Sequence, residues 1–158
     1  MGTLKEDINE QANWIVKGFA EDKLKLDYTI GSFIEIDKFF LKNSAGGQAK
    51  PGGRLSKNLG NVLFSIGAYI GNTIIKTVPG TAWEVDDDAV DEEINVAIRL
   101  PGNAVIWPVQ RVMKRFKNGP EDSIYVYGYS ITKDFTGEKF DNKYWKITDE
   151  NKPRWKFW

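Results

Sequence analysis

Residues 54–77 read RLSKNLGNVLFSIGAYIGNTIIKT, and the reading of this stretch decides the fold. Leu55, Leu59, Val62, Leu63, Ile66, Ile70 and Ile74 recur at helical spacing and define one apolar stripe. Gly60, Gly67 and Gly71 lie inside it. Each glycine costs a helix about 1 kcal/mol against alanine. Three of them predict either that another element packs very close to this helix or that the helix is kinked. Pro79-Gly80 ends it.

Upstream, residues 43–53 (NSAGGQAKPGG) read as a flexible loop and as a candidate mobile lid. Before it, Asp27 to Lys42 carries Ile30, Phe33, Ile34, Ile36, Phe39, Phe40 and Leu41, a helix with few polar positions and hence buried on most sides. Residues 4–20 form an amphipathic helix through Ile8, Ala12, Ile15 and Phe19, with Glu6 and Asp7 placed to suit the dipole at its start. Downstream the periodicity changes. Thr81–Val85 and Ile94–Leu100 read as short strands, and Pro101-Gly102-Asn103 turns the second into a hairpin over 94–107. Pro108 opens a helix over 108–117 that Asn118-Gly119-Pro120 stops. Residues 123–131 (SIYVYGYSI) alternate like a strand yet also fit a helix through Ile124, Tyr127 and Ile131. From Thr132 the chain is a polar, basic and aromatic tail reaching 158. Helices first and strands later make an α+β domain: about three N-terminal helices on a small, mostly antiparallel sheet, with one further helix at 108–117.

Composition bounds the chemistry. At 158 residues the chain suits a single domain over 1–158 with one core. It contains no His and no Cys. That excludes Ser-His-Asp triads, cysteine nucleophiles, imidazole bases, thiolate metal sites and disulfides. Carboxylate chemistry, Lys, Tyr or a hard metal on oxygen ligands remain. The first eleven residues lack the apolar core of a secretory signal, and no apolar run approaches the length of a membrane span. The expectation is a cytoplasmic protein that does not enter a membrane.

Charge balances overall but not locally. Lys plus Arg and Asp plus Glu each number 22. Residues 1–83 carry ten basic and eight acidic groups, and residues 94–158 carry twelve basic and seven acidic. Between them EVDDDAVDEE (84–93) holds seven acids and no base. A nucleic-acid partner is not expected without a basic excess. Asp86, Asp87, Asp88, Asp91, Glu92 and Glu93 lack the spacing and the bend glycine of a calcium loop, so no metal site is assigned to them. Such dense like charge is read as a docking surface for a basic protein partner, with a solvated loop as the plain alternative. Trp155 and Trp158, with Phe157, are its candidate aromatic anchors; the alternative is that this tail packs on the protein's own core.

Other constellations are weaker. Gly47-x4-Gly52 begins like a phosphate loop, but Gly53 and Arg54 stand where Lys and Ser or Thr are required. Glu35 and Asp37 sit in the most apolar helix; they are expected on its wet edge or paired with Lys38, and a buried one would be a candidate acid or base. Arg111, Lys114 and Arg115 share a helical face and are expected to pair with the acidic loop or to be solvated. No catalytic residue and no cofactor is assigned.

Ser65-Ile66-Gly67-Ala68-Tyr69-Ile70-Gly71-Asn72, then Trp83, Pro108 and the run Lys114 to Ile124 (KRFKNGPEDSI) together resemble a pattern in small bacterial α+β domains of unknown function. The similarity covers roughly residues 55–125 and is built of packing and turn residues. That family often has Glu where Asn72 stands here. The resemblance implies no established catalytic activity; by analogy, small cytosolic proteins of this sort include immunity proteins that neutralise a toxin. The functional expectation is therefore a non-enzymatic protein-binding module, an immunity protein in its most specific form. The alternatives are an enzyme working through carboxylates or an oxygen-bound metal, and a structural subunit of a larger assembly.

Overall fold

The structure, a computed structural model, describes residues 4–84 and 96–150. The long apolar stripe forms α3 (Leu59–Thr77), and everything else is arranged around it. Its residues 62–71 are all buried, so the helix is enclosed on nearly every side. The helix starts later than the stripe predicts, because Asn58 takes a left-handed conformation with φ of 56° and the preceding residues are turns. Leu55 is still buried, packed from the turn rather than from the helix.

Helix α1 (Leu4–Glu21) lies along α3 and makes its largest interface, burying the predicted face of Ile8, Ala12, Ile15 and Phe19. Polar clips tie the two helices at their margins: the Ser65 hydroxyl lies 2.6 Å from Gln11 Oε1, and Asn72 Nδ2 donates to Asn9 Oδ1 at 3.0 Å. The second apolar segment is shorter than its sequence suggests. A 3-10 turn (Ile30–Ser32), capped by the Thr29 side chain, precedes α2 (Phe33–Asn43). Tyr69 of α3 explains the break: its hydroxyl accepts from the Tyr28 amide at 2.8 Å and lies 2.6 Å from Ser32 Oγ.

The glycine-rich segment is an ordered hairpin. Strands β1 (Ser44–Ala45) and β2 (Gln48–Ala49) pair antiparallel around Gly46 and Gly47, both at positive φ, as a two-residue hairpin loop requires. Asn43 holds the return, its Oδ1 accepting from the Arg54 amide at 3.0 Å. Arg54 then clips the segment to α1 by pairing with Asp22 at 2.9 Å. The expected lid is thus hydrogen-bonded to the body on both sides.

Strands β3 (Ala82–Glu84), β4 (Ala97–Arg99) and β5 (Val105–Ile106) form an antiparallel sheet in that order. Trp83 faces Ile98, and Ile98 faces Ile106. The turn at 101–103 places Gly102 and Asn103 at positive φ, and the Leu100 amide closes it onto the Ala104 carbonyl at 2.8 Å. Helix α4 (Pro108–Asn118) follows at once and packs on α3. The ambiguous stretch resolves as α5 (Ile124–Thr136), packed on α2. The supposed polar tail then contains α6 (Tyr144–Glu150), anchored by the fully buried Tyr144. The architecture is α+β, six helices with two small antiparallel sheets among the described residues.

Candidate functional site

The most enclosed polar cluster lies where α2, α4 and α5 meet. Asp37 of α2 is fully buried, contrary to the expected wet edge; Glu35 takes the expected place, partly exposed and paired with Lys38 at 3.2 Å. The Asp37 carboxylate points at the start of α5. Oδ1 accepts from Arg115 Nε at 3.0 Å and from the Ile124 amide at 3.0 Å, while Oδ2 accepts from Ser123 Oγ at 3.1 Å and from the Tyr125 amide at 2.9 Å. A carboxylate offers about four lone-pair sites, and four donors fill them. Ser123 Oγ also accepts from the Val126 amide at 3.0 Å and from the Tyr144 hydroxyl at 2.6 Å. Burial, with the Asp37 charge close by, pushes the Tyr144 hydroxyl well above the ordinary tyrosine range. Asp37 therefore neutralises Arg115, caps the amides of the first turn of α5 and stitches α6 on through Ser123. With its acceptor sites occupied, it is not placed to receive a substrate proton.

The three basic residues on one face of α4 have separate surroundings, and the acidic loop beyond Glu84 lies outside the described residues. Arg115 turns inward to Asp37, with its guanidinium 5.2 Å from the Phe40 ring centroid. Arg111 pairs with Asp122 at 3.2 Å and stacks over the Tyr127 ring at 4.5 Å. Lys114 is exposed.

Several concave surfaces remain. One, about 760 Å³, runs between α1 and the 52–58 turns, with the half-exposed Trp14 on its wall. A second, about 460 Å³, lies between α5, α6 and the 3-10 turn Pro120–Asp122, and Trp145 forms one side. A third, about 180 Å³, lies between β5 and α4, with Trp107 at its mouth. The second and third share Arg111 and Tyr127, so the cation–aromatic stack is a ridge between two adjoining grooves. Burial lifts the Tyr127 hydroxyl to about 12, an effect the Arg111 charge partly offsets. Trp107 and Trp145 are 45% and 49% exposed, so each groove is walled by a large aromatic open to solvent. Neither Glu35 nor Asp37 lines these grooves.

The six acidic residues proposed for docking, Asp86, Asp87, Asp88, Asp91, Glu92 and Glu93, lie outside the described residues, as do Trp155 and Trp158. The first acid of the stretch, Glu84, ends β3 in an ion pair with Arg99 across the sheet. Sequence reasoning missed the Trp107–Tyr127–Trp145 surface. Its signal was present in the local polarity, since Trp107 stands between a short strand and a helix-opening proline, and Trp145 lies in a charged stretch. Among the described residues no helix is long and apolar enough to cross a membrane. No protein-family model, no curated protein and no solved structure matches the chain.

Proposed function

We propose that the chain is a non-enzymatic protein-binding module, a toxin-neutralising immunity protein in its most specific form, working in the bacterial cytoplasm. One observation carries the binding reading: two exposed tryptophans wall two grooves that meet at a stacked Arg111–Tyr127 pair. Trp, Tyr and Arg are the residue types that dominate interface energies: Trp and Tyr bury large area while fixing few rotors, and Arg adds planar, multidentate donors that stack on rings. Large aromatic surface left in water around adjoining grooves is the mark of an interaction site. The saturated state of Asp37 also supports the reading, since the buried acid in the helix spends its acceptor capacity on the fold. The immunity assignment rests on the resemblance of residues 55–125 to small bacterial α+β domains and on the acidic 84–93 stretch, whose charge would steer a basic partner toward the surface.

The test is affinity capture from the source cell with the full chain, beside a variant in which Asp86, Asp87 and Asp88 are replaced by Lys. Recovery of one protein in near-equal amount, reduced by the charge reversal, is expected. Equal recovery with both baits removes the acidic stretch from the account, and recovery of nothing removes the binding reading.

A further inference from the structure

The groove between β5 and α4 has a chemistry of its own. Val105, Ile106, Trp107 and the Tyr127 ring supply apolar wall, Arg111 and Lys114 supply charge, and none of its lining side chains is acidic. Arg111 is already balanced by Asp122. Lys114 makes no ion pair among the described residues, so its positive charge faces solvent at the rim. Beside the groove, β5 is the end strand of its sheet, and its outer edge has no strand partner among the described residues. An open strand edge is a ready template for an added strand.

We infer that this groove receives an extended acidic segment of a partner protein. The segment's backbone lies along the edge of β5, an apolar side chain seats against Trp107 and Tyr127, and a flanking carboxylate meets Lys114. The inference rests on the protein-binding reading and adds to it one local feature, an acidic segment on a partner whose overall charge is basic. Charge complementarity selects the occupant: with no acidic lining side chain and no ion pair to Lys114 among the described residues, the groove attracts an acidic segment, gives a neutral one no such attraction and repels a basic one. A nucleic acid would ask for a run of cations along a track, whereas this groove offers one balanced arginine and one lysine.

The experiment uses a display library of random short peptides selected against the full chain. Enriched sequences are expected to carry Asp or Glu on either side of an aromatic or aliphatic residue. A synthetic peptide of the enriched sequence is expected to shift the backbone amide resonances of residues 105–114 and of Tyr127. Lys114→Glu should weaken its binding about tenfold or more, whereas Lys17→Glu, on the separate groove beside α1, should leave it unchanged. Enrichment of basic or neutral peptides, indifference to Lys114→Glu, or displacement of the peptide by a single-stranded oligonucleotide overturns the inference. Peptides that bind elsewhere on the chain overturn it while sparing the protein-binding reading. A library that yields no binder, together with an empty affinity capture, overturns both.

Discussion

A β-carbon at Gly71 would run into the Trp83 indole and come within 2.9 Å of Ile98 Cδ1, and one at Gly67 would come within 2.8 Å of the Val109 Cα. These two glycines let the sheet and α4 approach α3 to contact distance, and the Trp83 indole N–H then reaches Asn72 Oδ1 at 2.8 Å. Gly71→Ala should therefore lower stability by about 1–3 kcal/mol through overpacking. Gly18 of α1 is the counterpart, because nothing lies within 4 Å of its β-carbon position. Gly18→Ala should raise stability by up to about 1 kcal/mol. Urea unfolding of the two variants checks the opposite signs; a matching sign would mean that helix propensity rather than close approach governs both sites. The close approach was legible in the sequence, as three glycines in one apolar helix demand a reason. Gly60 is the exception, since no neighbour crowds its β-carbon position.

At the scale of elements, the placement of α5 depends on a residue far away in the chain. Residues 123–131 satisfy both a strand and a helix pattern, and periodicity alone does not choose. Asp37 chooses, by accepting from the Ile124 and Tyr125 amides at the point where a helix has free donors. Its other partner, Arg115, lies 78 positions away, so no local pattern announces the pair. The same limit explains why Asp37 was readable as a candidate buried acid but not as a cap. Arg115→Met should cost about 3–5 kcal/mol, because it leaves a buried carboxylate without its cation. Asp37→Asn should cost a similar amount, and the double variant less than the sum of the two. A double-mutant cycle by denaturant unfolding measures the coupling; simple additivity would show that the two groups do not act as a pair. The hairpin at Ser44–Ala49 shows the complementary failure. Its glycines signalled a turn, but the Asn43 and Arg54 bonds that tie it down are tertiary.

Across the whole molecule, the first three helices, the strands of the second sheet, the helix at 108–117, the α+β class and most of the core faces were legible, because they follow from apolar periodicity and from proline and glycine punctuation. The extent of the last third was not: α6 is short, and it is held to the body by contacts that no local pattern announces, with Tyr144 buried against Tyr125 at 5.2 Å between ring centroids and its hydroxyl 2.6 Å from Ser123 Oγ. The buried tyrosines set a collective pH response. Burial raises Tyr69, Tyr125 and Tyr144 above the ordinary value of 10.0, and Tyr127 to about 12. A folded pKa above the unfolded one means that this contribution is fully present below pH 10 and is lost as pH climbs through the folded values. Unfolding free energy should fall steeply above about pH 10. Ionisation of these four of the six tyrosines should follow loss of helix rather than precede it, and tyrosinate absorbance corresponding to all six in a fully helical protein near pH 10 would contradict the burial described. The binding surface belongs to this scale too, since Trp107, Tyr127 and Trp145 come from three separate elements. The most direct test is the affinity of the captured partner for the purified full chain, compared with that of a Trp107→Ala, Trp145→Ala double variant. An intact fold by circular dichroism with affinity at least about tenfold weaker is predicted; unchanged affinity in the folded variant would contradict the account.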